Sequence, residues 1–101
     1  FYEACLDAKG KLLACYRLAE GSPDQVTINM RTVVENALNA NASLVVLSHN
    51  HPSGVALPSK EDNQTTLRIK RALADIGVQL VDHVIVADGD FVCLRDNGLL
   101  D

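Results

Sequence analysis

Leu44-Val45-Val46-Leu47-Ser48-His49-Asn50-His51-Pro52-Ser53-Gly54, continuing through Pro58-Ser59-Lys60-Glu61-Asp62, is the stretch that organises the chain. Its first four residues are apolar without alternation, the mark of a strand that is central and covered on both sides. Two of the chain's three histidines follow, one residue apart. Positions i and i+2 of a strand share a face, so both imidazoles aim to one side and Asn50 to the other. A loop containing Pro52, Gly54 and Pro58 comes next. Ser59 then opens a helix. Asp62 stands three residues on, the spacing of a capping box with Asp in place of Glu or Gln.

That helix supplies a carboxylate. Asp62 precedes Ile69 by seven residues, close to two turns, so the two share a face. Ile69, Ala72, Leu73 and Ile76 form the apolar stripe, which turns Asp62 towards the sheet. Glu61 and Asn63 each point about 100° away. His49, His51 and Asp62 are therefore predicted to hold a divalent metal, with zinc first. Catalytic zinc typically takes three protein ligands and leaves a fourth position for water, with imidazole nitrogen at about 2.0–2.1 Å. Manganese, iron and nickel stay open, since affinity order does not decide occupancy. His83, in a strand beside Asp82, is expected to support the site through a hydrogen bond to a backbone carbonyl or a ligating carboxylate. A site of the HExxH type is excluded because that sequence is absent.

Working outward, residues 1–6 and 11–18 read as strands joined by Asp7-Ala8-Lys9-Gly10, which has turn chemistry. Glu20-Gly21-Ser22-Pro23-Asp24 reads as a loop and Val26-Thr27-Ile28 as a brief extended piece. Asn29 caps a helix over 30–39, with Val33, Val34, Ala37 and Leu38 as its apolar stripe. The helix from Ser59 runs to about Ile76 and stops at Gly77. Residues 79–86 form a strand, 87–90 a turn, 91–95 a last strand and 97–100 a tail. The order β-β-α-β-α-β-β predicts an α/β sandwich with a mixed sheet.

The 101 residues predict one domain. Net charge is −4, and the nine Lys and Arg are scattered, with only Arg68, Lys70 and Arg71 clustered on what reads as a solvated helix face. No strong nucleic-acid signal results. No apolar run reaches the length of a membrane span. Cys5, Cys15 and Cys93 lie in apolar strand-like segments with no Cys-x-x-Cys, so reduced, buried thiols and a cytoplasmic location are expected. The chain opens at Phe1 inside an apolar run, and is expected to be a fragment whose parent extends upstream.

His49-x-His51-x7-Ser59-x2-Asp62 resembles the JAMM metalloenzyme motif. The residues around it, His49 to Gly54 and Pro58 to Asp62, together with Asp82-His83 and Asn97-Gly98-Leu99-Leu100, resemble the RadC branch of the JAB/MPN superfamily. The resemblance spans nearly the whole chain. It implies a three-layer, cytidine-deaminase-like sandwich, and zinc at His49, His51 and Asp62 with water in the fourth place. It also implies hydrolysis of a peptide or isopeptide bond in a protein substrate. The position of Ser59 implies a role in stabilising the tetrahedral intermediate. The family's general-base glutamate aligns just before Phe1. Within the chain Glu3 is the nearest candidate, on the right strand but displaced along it. Glu20, Glu35 and Glu61 fall in a loop, on the first helix and off the site. The resemblance also allows a non-catalytic MPN-like binding module, or the DNA-repair association that the RadC name suggests. The acidic charge speaks against autonomous DNA affinity.

Overall fold

The computed structural model describes residues 1–18, 28–51, 54–96 and 98. The expected loop at 20–24, most of the extended piece at 26–28, Pro52 and Ser53, and most of the tail lie outside these residues. Seven elements follow in the expected order: β1 (Tyr2–Leu6), β2 (Leu12–Arg17), α1 (Met30–Asn39), β3 (Leu44–Asn50), α2 (Lys60–Asp75), β4 (Gln79–Ala87) and β5 (Asp90–Cys93).

Local chemistry sets the boundaries. Asp7 Oδ1 accepts from the backbone N–H of Lys9 and of Lys11, both at 2.9 Å, and closes the β1–β2 hairpin. Asn29 Oδ1 accepts from Arg31 N–H at 3.0 Å and caps α1. Both helices end alike. Beyond α2, Val78 N–H reaches Leu73 C=O at 2.9 Å and Gly77 N–H reaches Ala74 C=O at 3.1 Å, with Gly77 at φ +76°. This is a Schellman ending, which needs the left-handed backbone that glycine adopts freely. Asn41, at φ +55°, takes the same place after α1. The last strand is shorter than read from sequence, because residues 94–96 turn after Cys93.

The strands form one sheet of order β2-β1-β3-β4-β5. Only β3 and β4 run parallel, joined by the α2 crossover; the other pairs are antiparallel. β3, with its unbroken apolar run from Leu44 to Leu47, is central, as its sequence predicts. Leu47 of β3 pairs with Glu3 on one side and His83 on the other, and all three are buried. Asn36 of α1 bonds Glu3, and Thr66 of α2 bonds His83. Both helices therefore lie on the same face. Neither supplies the third layer of the expected sandwich. On the opposite face Ala4, Val46 and Val84 are half-buried.

A single core forms between helices and sheet, around Val33, Ala37, Val45, Leu47, Ile69, Leu73 and Ile85. One irregularity places the site. Val45 pairs with Leu80 but Val46 with Asp82, so β4 carries an extra residue there. The extra residue resets the alternation. Leu80 is buried, and after it His83, Ile85 and Ala87.

Of the three cysteines only Cys5 is buried. Cys15 is exposed, contrary to expectation, and Cys93 is half-buried. The reason is position. β2 is an edge strand, and among the described residues no layer covers its outward side chains, so Leu12 and Leu13 are exposed as well. Of the clustered Arg68, Lys70 and Arg71, the two arginines are exposed on α2 and Lys70 is half-buried.

Candidate metal centre

The site forms where the end of β3 meets the start of α2. This is the carboxyl end of the parallel strand pair, where open α/β sheets place their ligands. β3 runs three residues beyond its apolar run, so His49 lies within the strand. His51 continues the ladder, its N–H bonding Val86 C=O at 2.9 Å. The alternation then sets both imidazoles on the helix side. Gly54 turns the chain back at φ +79°, and a Cβ there would lie 3.1 Å from the Asp88 carboxylate, so the loop passes against the β4–β5 turn.

Ser59 and Asp62 form a full capping box. Ser59 Oγ accepts from Asp62 N–H at 3.0 Å, and Asp62 Oδ2 accepts from Ser59 N–H at 2.8 Å. Ser59→Ala should cost about 1 kcal/mol of stability by losing the cap. A lowered thermal midpoint checks this, and an unchanged one would deny the cap any weight.

The box also aims the carboxylate. Asp62 Oδ2 lies 2.9 Å from His51 Nε2, and Oδ1 lies 3.3 Å from His49 Nε2. Ligand atoms of His49, His51 and Asp62 all fall within 4.8 Å of one another. The structure thus brings together the three residues read from sequence. Glu61 is exposed, as its position on the helix requires.

Protonation follows from these contacts. Burial raises the Asp62 carboxyl, but the Ser59 hydrogen bonds and the facing imidazoles outweigh it and hold the group below its ordinary value. Asp62 is therefore an anion at neutral pH. Burial pulls His49 down to about 4 and His83 down to about 3, so both are neutral there. His51 Nδ1 lies 2.9 Å from the Val55 carbonyl oxygen. A carbonyl only accepts, so Nδ1 carries the proton and Nε2 is left to face Asp62. At these separations a proton on the imidazole nitrogen or a cation must lie between nitrogen and carboxylate. A divalent cation meets that need, and the two-imidazole, one-carboxylate set fits zinc.

Behind the candidate ligands lies His83, fully buried. Its Nε2 is 2.7 Å from His49 Nδ1 and its Nδ1 is 2.5 Å from Thr66 Oγ1. It therefore supports the site, but through the His49 imidazole and a hydroxyl rather than a carbonyl or carboxylate. The extra residue in β4 sets this register. Thr66 escaped the sequence reading, although it lies one turn after Asp62 on the same face.

Glu3 is not part of the cluster. It is fully buried two positions short of the site along β1, and its Oε1 accepts from Asn36 Nδ2 at 3.1 Å. Among the described residues Oε2 has no partner. Burial pushes its carboxyl up to about 7, partly offset by the Asn36 bond. Phe1 stands closer, its ring stacked on that of His49 with centroids 4.5 Å apart and planes 8° from parallel. Glu35 pairs with Arg31 on the exposed face of α1, and Glu20 lies outside the described residues.

No helix among the described residues is long and apolar enough to cross a membrane. Comparison with known proteins agrees with the geometry. The family model of the RadC-like JAB domain matches residues 1–99. A UPF0758 protein of Stutzerimonas stutzeri is 48% identical over 93 residues, covering 92% of this chain and 42% of the relative. A UPF0758 protein of Nitrosococcus oceani is 43% identical over 95 residues, covering 94% and 42%. The chain thus spans less than half the length of the curated relatives it matches. With its mixed sheet and its histidines and aspartate gathered at one strand end, the chain belongs to the RadC-like JAB domain family.

Proposed function

We propose that the chain is the core of a JAMM-type zinc metallopeptidase, cleaving a peptide or isopeptide bond in a protein substrate. The observation that carries this reading is the convergence of His49, His51 and Asp62, with Ser59 at the same helix start. A zinc ion held there supplies Lewis acidity to a carbonyl oxygen and to water. The chain's own residues do the rest. His49 and His51 present nitrogen lone pairs from one face of β3. Asp62 presents a carboxylate fixed by a hydrogen bond from the Ser59 backbone N–H. The Ser59 hydroxyl, with its lone pair engaged by Asp62 N–H, keeps its proton to donate to a developing oxyanion. The N-terminus of α2 adds its positive dipole end. Three free thiols fit a reducing compartment, which supports a cytoplasmic location.

One observation favours a second reading, a non-catalytic MPN-like binding module. Glu3 is turned under α1, and no carboxylate of the described residues besides that of Asp62 joins the cluster. Hydrolysis also needs a group to accept the water's proton. The two readings separate with zinc-loaded protein and a quenched fluorescent isopeptide substrate. The metallopeptidase reading expects turnover that a chelator abolishes and zinc restores. Full zinc occupancy without turnover of peptide or isopeptide substrates would overturn it in favour of the binding module.

A further inference from the structure

We propose that Thr66, acting through His83, fixes His49 in its Nδ1–H tautomer and so presents the Nε2 lone pair to the cation. Both are positioning residues. The inference rests on reading His49, His51 and Asp62 as a cation site, and it follows from counting protons along one chain of hydrogen bonds.

The chain starts at a group with no choice. The Asp62 backbone carbonyl can only accept, and Thr66 Oγ1 lies 2.7 Å from it. The single hydroxyl proton of Thr66 is therefore committed to that carbonyl. What Oγ1 offers His83 is a lone pair, so His83 Nδ1 must donate. A neutral imidazole carries one N–H, which leaves His83 Nε2 as an acceptor. His49 Nδ1, 2.7 Å away, must then donate in its turn. The remaining nitrogen of His49, Nε2, has no proton and faces Asp62 Oδ1 at 3.3 Å.

The opposite polarity fails at the first step. If Thr66 donated to His83, its oxygen and the Asp62 carbonyl oxygen would meet at 2.7 Å with no proton between them. Water has little access to rescue that arrangement, because Thr66 and His83 are fully buried and His49 is 6% exposed. The relay begins on the Asp62 backbone and ends facing the Asp62 carboxylate. One helix residue thus orients the imidazole with which it shares the cation. His51 has a simpler version, with the Val55 carbonyl alone setting its tautomer.

Imidazole nitrogen correlation spectra of the full, metal-free chain, labelled with 15N at histidine, test this directly. His49 and His83 should both appear as neutral Nδ1–H forms at pH 7.5. A protonated Nε2 on His49 would overturn the proposal. Thr66→Val removes the hydroxyl. It should scramble both tautomers and weaken zinc binding about 10–100-fold in competition with a chromophoric chelator. Thr66→Ser should restore both. Unchanged tautomers and affinity in Thr66→Val would also overturn it. The spectrum of the unmodified chain decides the matter even if Thr66→Val fails to fold. If the unmodified chain takes up no zinc, the cation-site reading fails, while the tautomers still report whether the relay exists.

Discussion

Asp62→Asn should yield a folded protein that no longer retains zinc. The substitution separates the two jobs of this residue. An asparagine oxygen still accepts from Ser59 N–H, so the capping box and the start of α2 survive. The negative charge between His49 and His51 does not. Structural zinc sites bind with about 10–16 kcal/mol over four ligands. One ligand is thus worth roughly 3 kcal/mol, or more than about 100-fold in affinity. Asp62→Ala removes the ligand and half of the capping box, and should lose about 1 kcal/mol of stability besides. Zinc content by atomic absorption and thermal unfolding of the metal-free variants together read both effects. Stoichiometric zinc in Asp62→Asn after dialysis would remove Asp62 from the ligand set.

Glu3→Gln should make the metal-free protein more stable at pH 8 by up to about 3 kcal/mol, and leave it nearly unchanged at pH 4. Burial raises the Glu3 carboxyl from 4.5 to about 7 in the folded chain. Below 4.5 it holds its proton in both states and no penalty arises. Between 4.5 and 7 the unfolded chain gives up the proton and the folded chain keeps it. Stability contributed by the proton is therefore lost as pH rises, by at most about 1.4 kcal/mol per unit, and the loss levels off above 7. Full burial leaves little solvent to screen the charge. His49 and His83 work in the other direction. Burial pulls their values down, so they withdraw stability as pH falls below 6.5. The difference between Glu3→Gln and the unmodified chain cancels the histidines. Urea unfolding at pH 4, 6 and 8 measures it, and an equal difference at all three would place the Glu3 charge in contact with water.

The features legible in sequence were those set by near neighbours. Asn29 and Ser59 cap their helices because cap chemistry spans three or four residues. The orientation of Asp62 followed from the helix repeat, and the central place of β3 from its unbroken apolar run. What needed register or layering was hidden. The partners of His83 depend on an extra residue in β4 that alternation alone cannot reveal. The burial of Glu3 depends on α1 packing across β1, brought there through more than thirty residues of chain. The exposure of Cys15 depends on β2 being the sheet edge. That both helices share one face is likewise a property of the connections, which no single segment encodes.

Neither neighbour of the central strand is joined to it by a short turn. β3 is flanked by β1, which precedes it by some forty residues, and by β4, which follows the whole of α2. Loops of this length must close before either pairing repays their entropy, so these contacts form late and together. A nascent chain therefore lacks the His83 support behind the candidate site until Gln79–Ala87 has emerged and docked. Uptake of the ion should lag behind helix formation in a refolding experiment. A cation bound there would act as a lock on a finished sheet, not as a template for building it.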